Sequence, residues 1–394
     1  ADGSLSTPTL GTSNVRFGAN AGNSIASGGN YNVFVGDSAG STMATGDNNV
    51  AVGYGALTSE DGHGNNVAVG YAALNQLNAG AAGYNTAVGK SAGYLVSVGI
   101  HNTLIGANAG DALSDADTNV AVGSAALTSD TKGSKNTAVG HSALEAQNFT
   151  STTQSFNTAI GSDSGKAITT GLDNTIIGSS AGDALTDSDR NVAVGKFALT
   201  TDSLGQYSTA VGYGALQTQY FDEATDTYNT AVGYSAGLSI STGIKNTLIG
   251  ALAGDSITDG VQNTFIGHEA GQTTASGTNN VYVGDGAGYT NVGSNCVMVG
   301  SFSGRYANDD DNITYVGSGA GYQNTGANNT AVGKGTLSAS GAASGNTVMG
   351  YLAGTAVTTA TNNVIIGINA VSQAALTGTQ NTVVGNAAGY VLID

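Results

Sequence analysis

The residues best suited to chemistry in this chain are its aspartates, which gather in three groups: Asp111/Asp115/Asp117, Asp183/Asp187/Asp189 and the run Asp309, Asp310, Asp311. Carboxylates this close together could hold Ca²⁺, a cation that binds through several oxygen ligands. None of the groups has the spacing of an EF-hand loop or of the glycine-rich calcium nonapeptide, so solvated turns are the expected role and no cofactor is expected. The four histidines, His63, His101, His141 and His268, fall at different offsets in the repeat described below, and no metal cluster follows from them. Gly89-Lys90-Ser91 ends like a phosphate loop, but the leading glycine would fall at Tyr84. Paired carboxylates for glycoside hydrolysis have room only in a groove between chains. The remaining candidates are aromatic: Phe149, Tyr220 and Phe221 lie in lengthened loops and offer contact area for a protein or sugar partner.

What must position these residues is a short motif, Asn-(Val/Thr)-x-(Val/Ile)-Gly. It reads NNVAVG at 48–53 and 65–70, NTLIG at 102–106 and NTVVG at 381–385, and it recurs in 22 copies with a dominant spacing of 17 residues. A period this short predicts an all-β fold: a parallel β-roll or β-solenoid of about 22 coils, each touching only its neighbours. The Val/Ile before the Gly and the Val/Thr two residues earlier alternate around a middle residue, as in a strand with two faces. These two positions, with the Ala three beyond the Gly, are expected to form the core, and the middle residue (Ala51, Leu104, Phe265) to face the other way. Four before the Gly stands Asn in 19 of the 22 copies, the exceptions being Ser208, Cys296 and Ile313. Stacked coils would align these as a structural ladder through Asn49, Asn66, Asn85, Asn102, Asn119, Asn136, Asn157 and Asn174.

Residues 1–13 read as an N-terminal cap or linker, and 14–394 as the repeat domain. Insertions lengthen the coil at 75–84, 145–156 and 217–228. The last two are 72 residues apart, the length of a duplicated four-coil unit, and are expected to leave the coils as surface loops. With both strand faces apolar, the second layer must come from other copies of the chain, and an isolated monomer should be unstable. The formal charge of −17, from 27 acidic and 10 basic residues, opposes a nucleic-acid role. No apolar run is long enough for a transmembrane segment. Cys296 is the one cysteine, so no intrachain disulfide forms.

The motif resembles the left-handed parallel β-roll heads of YadA-like trimeric autotransporter adhesins, whose coils carry Ser-Val-Ala-Ile-Gly followed by a small residue. YSTAVG at 207–212 has the Ser form, and SFNTAIG at 155–161 and NNVAVG at 48–53 are of the same type. The NTAVGY-type repeats are also similar to those of phage tail-fibre and bacterial fibre proteins that end in a self-cleaving chaperone domain. The resemblance implies a parallel homotrimer, extracellular, on a cell surface, fibre or virion, attaching to a host-cell, matrix or polysaccharide surface. A structural and adhesive fibre segment, not an enzyme, is therefore expected. The alternatives are a tailspike-like polysaccharide-active enzyme and an ice- or crystal-surface-binding solenoid. Thr stands two before the Val/Ile in 13 copies, but ice binding would need its Val/Ile partner outside the core.

Overall fold

A computed structural model describes residues 10–308, 311–339, 341–373 and 376–389, so residues 1–9 of the expected cap lie outside the described residues. The chain divides into two units, Ala1–Lys196 and Phe197–Asp394. Both are built from one coil, a parallel β-solenoid turn of 17 residues repeated about 21 times, and no helix occurs among the described residues. Each coil contributes one three-residue strand, from Val15–Phe17 to Val192–Val194 in the first unit and from Thr209–Val211 to Thr382–Val384 in the second. Successive strands pair in parallel and in register, as Thr103↔Val120, Leu104↔Ala121 and Ile105↔Val122 show.

The strand faces the opposite way from the sequence expectation. The middle residue is the buried one: Ala51, Leu104, Ile176, Phe265, Tyr282 and Tyr315 are all fully inside. The Val/Thr and Val/Ile columns point outward and are half-buried to exposed, in a pattern kept by the strands Val50–Val52, Thr137–Val139 and Thr247–Ile249. The cause is the asparagine. It turns its amide into the coil, so the residue two further on shares its side by the strand's two-residue alternation.

Core volume is balanced within each coil. After Leu57, Leu127 and Leu199, each fourth after its strand Gly, the seventh residue is polar, Glu60, Asp130 or Asp202, whereas Leu74 is followed at that place by Leu77. Where the fourth is Gly, the space beside it is filled either by an apolar seventh residue, as in Gly110 with Leu113 and Gly182 with Leu185, or by an aromatic middle residue, as at Gly271 against Phe265 and Gly288 against Tyr282; a Cβ on Gly110 would lie 2.7 Å from Leu113 Cδ1. This exchange keeps the interior close-packed despite a middle residue that ranges from Ala to Tyr. The strand-ending glycines need their residue type for another reason. Gly123 has φ of 144°, and a Cβ there would overlap the carbonyl oxygen of Gly140 in the next coil.

The 145–156 and 217–228 insertions add structure of their own. Thr153–Gln154 pairs in parallel with Gly133–Ser134, and Thr225–Asp226 with Gly205–Gln206.

Candidate functional site

The asparagines form a buried, directional column. Asn102 N donates to Asn85 Oδ1 at 2.9 Å, and Asn102 Nδ2 donates to Ala116 O at 2.7 Å and to Asn85 Oδ1 at 3.2 Å. The same contacts repeat with small variations at Asn49, Asn66, Asn119, Asn136, Asn157 and Asn174. Each amide thus ties its own coil to the one before and closes the turn after its strand. Fully engaged and inside the coil, these side chains are scaffold.

Three buried carboxylates extend this scaffold, and the sequence reading passed over them. Glu60, Asp130 and Asp202 occupy one coil offset, are fully buried, and each lies in the coil before a lengthened one. Each accepts a backbone N–H from the insertion that follows: Ala79 N at 3.3 Å, Phe149 N at 3.1 Å and Phe221 N at 3.2 Å. In the two longer insertions a glutamine completes a relay into the ladder. Asn229 Nδ2 donates to Gln219 Oε1 at 2.9 Å, and Gln219 Nε2 donates to Asp202 Oδ2 at 2.6 Å. Asn157, Gln147 and Asp130 repeat the chain at 2.9 and 2.6 Å. Burial pushes the Asp202 carboxyl above its usual range, against the opposing pull of the hydrogen bonds from Gln219, Gly205 and Phe221.

This anchoring changes the role of the loop aromatics. Phe149 and Phe221 are only 6% and 8% exposed, so their rings cover the coil and offer no contact surface; Tyr220, at 49%, remains outward. The structure therefore corrects Phe149 and Phe221 from binding residues to packing residues. Within the acidic groups the carboxylates serve neighbouring coils. Asp117 Oδ1 accepts from Ile100 N at 2.8 Å and Asp189 Oδ1 from Leu172 N at 2.8 Å. Asp311 Oδ1 accepts from Ser294 N at 2.6 Å, while Asp309 and Asp310 lie outside the described residues. Glu60, Asp61 and His63 bring ligand atoms within 4.8 Å of one another. Glu60 Oε1 is already engaged by Gly62 N, His63 N and His63 Nδ1.

What is left uncovered is the outer strand face. In each unit it carries two columns of β-branched residues, with no charged side chain in either; Phe17 and Met349 are the sole departures. Ile105, Ile160, Ile249 and Ile366 are each more than a third exposed. Aromatic pairs rim the columns at the residue after the Gly or before the Asn. Tyr54–Tyr71 and Tyr213–Tyr234 stack at 5.5 and 5.6 Å, and Tyr207–Tyr228 at 5.3 Å. Because these rings lie face to face from coil to coil, they cover one another's faces and present mainly their edges.

The chain matches no family model and no curated protein sequence.

Proposed function

We propose that the chain is a structural and adhesive segment of an extracellular fibre, in which identical chains associate through the outward strand columns. The observation that carries this reading is the regular, charge-free stripe of Val, Thr and Ile on the outside of each unit. Eleven strands at about 4.8 Å spacing make a stripe roughly 50 Å long and on the order of 500 Å², at the upper end of the apolar patches that monomers leave in water, which are often functional. An interface of this composition resembles a core cut in two, as obligate assemblies do. The tyrosine rim fits the border of such a contact. With 17 net negative charges on each chain, a stripe without carboxylates is where copies approach with least repulsion.

The resemblance to trimeric adhesin heads supports three parallel chains in register, an extracellular location, and a host-cell, matrix or polysaccharide surface as the target. Light scattering tests the assembly. Wild-type chain should return three times 38.5 kDa. The pair Val122→Lys and Val139→Lys should return a smaller, still β-rich particle. A well-folded wild-type monomer would refute association.

A second reading has its own observation. The Thr and Val/Ile columns share one outward face, which is the arrangement that ice or crystal-surface binding requires. It predicts a monomer with a bare stripe and inhibited ice growth, so the same mass measurement separates the two readings.

A further inference from the structure

The asparagine column is continuous through the described strands of the first unit but is interrupted twice in succession in the second, at Cys296 and Ile313. Asn280 Oδ1 still accepts from Cys296 N at 2.9 Å. Beyond it, a thiol replaces the amide, and then Ile313 supplies neither side-chain donor nor acceptor. The amide column resumes at Asn329, whose Oδ1 accepts from Asn346 N at 2.9 Å. Ser208, the third departure from Asn, differs: its hydroxyl sits 2.6 Å from Thr227 Oγ1 and accepts from Gln219 Nε2 at 2.8 Å.

Other weaknesses gather around the same coils. Four buried side-chain polar atoms lack a hydrogen-bond partner among the described residues, and three of them, Gln272 Oε1, Tyr282 Oη and Asn324 Nδ2, surround this gap. Each is an incompletely satisfied group in a low-dielectric interior. Two buried asparagines outside the column supply part of the lost bonding, Asn291 Nδ2 donating to Cys296 Sγ at 3.5 Å and Asn324 Oδ1 accepting from Tyr315 Oη at 3.0 Å, and aromatic contacts add to it. Phe265 and Tyr282 stack at 4.5 Å, and Met298 and Tyr315 continue the inner column. On another side of the coil the Arg305 guanidinium lies 4.6 Å from the Tyr289 ring and 4.8 Å from the Phe302 ring. It reaches Glu269 at 3.6 Å, so one side chain links several coils on the N-terminal side of the missing rungs. The clasp is only partly shielded from solvent, which limits its strength.

We propose that the coils between Asn280 and Asn329 are where the second unit opens locally, ahead of its global unfolding, with Arg305 as the clasp that keeps them closed. In a repeat protein each coil is stabilised by its neighbours, so two adjacent weak junctions localise opening instead of spreading it. The chain's single cysteine, Cys296, is fully buried in this segment, so its modification reports the opening directly.

The test is the rate at which a maleimide modifies Cys296 in the 394-residue chain across a urea series, beside hydrogen exchange read by peptide mass. Modification should proceed at low urea, with a shallower urea dependence than global unfolding. Peptides covering 281–316 should exchange faster than those covering 103–177. Arg305→Ala should raise the modification rate about tenfold, a shift of about 1.4 kcal/mol in the opening equilibrium. Tyr282→Phe, which deletes only the unpartnered hydroxyl, should lower it and keeps the test alive if the first variant fails to fold. Modification with the urea dependence of global unfolding would overturn the proposal, as would a rate unmoved by Tyr282→Phe.

Discussion

Replacing Asn102 by Ala removes one rung of the ladder and leaves the apolar core untouched. Three hydrogen bonds go: Nδ2 to Ala116 O at 2.7 Å, Nδ2 to Asn85 Oδ1 at 3.2 Å, and the bond that Asn119 N donates to Asn102 Oδ1 at 2.9 Å. Asn85 Oδ1 keeps Asn102 N as a partner. The Ala116 carbonyl and the Asn119 amide, both on fully buried residues, lose theirs. At roughly 1–3 kcal/mol for each stranded buried group, the expected loss is about 2–6 kcal/mol. Asn102→Asp should discriminate further. It keeps an acceptor for Asn119 N but sets an oxygen against Ala116 O, so burial should raise its carboxyl pKa in the folded protein, and stability should recover as pH falls through that raised value, completely below the unfolded carboxyl's value of about 3.9. Urea unfolding followed by circular dichroism gives the size of the change. Because a solenoid can unfold coil by coil, exchange of the Thr103 and Val120 amides should be read in parallel. Exposed Lys90→Ala serves as the control. If Asn102→Ala falls within about 0.5 kcal/mol of wild type, the column is ornamental and the reasoning fails.

Gly123→Ala should destabilise by about 1–3 kcal/mol from backbone strain alone, with the clash against Gly140 added, and thermal melting will show it. Phe149→Ala and Phe221→Ala should each lower the melting temperature through lost burial, about 3–5 kcal/mol at most, while leaving surface adhesion of the assembled protein unchanged. Asp202 gives a pH signature. With its folded pKa raised above the usual 3.8, its contribution to stability is fully present below that value and is lost as pH rises through the folded pKa. The wild-type advantage over Asp202→Asn should therefore be largest in acid and shrink with rising pH, as measured by urea midpoints.

The period, the all-β class and the asparagine column were legible because residue identity recurs at fixed spacing, and stacking turns that spacing into contact. The facing of the strand was not. Ala at the middle position and Val or Ile beside it are both apolar, so alternation gives no contrast between inside and outside. Two signals pointed the right way. Thr at an assumed core position in 13 copies was out of place, and the middle residue grew from Ala51 to Tyr282, a range only a core that can exchange volume elsewhere tolerates. The role of Phe149 and Phe221 was hidden because their partners, Asp130 and Asp202, lie 19 residues earlier, one coil away in space. Of the candidate functional surface, the residues were visible, but their shared outward face needed the register of the strands.

Cysteine cross-linking tests that outward face most directly. In a Cys296→Ser background, Val139→Cys places a thiol on the outer column and Ala138→Cys places one in the core. Parallel, in-register association would bring equivalent Val139→Cys thiols close enough to join. Mild oxidation should therefore yield covalent dimers of the Val139→Cys chain and none from Ala138→Cys or from Lys132→Cys. A Val139→Cys chain that stays uncrosslinked, with Ala138→Cys reacting readily, would contradict both the strand facing and the assembly built on it.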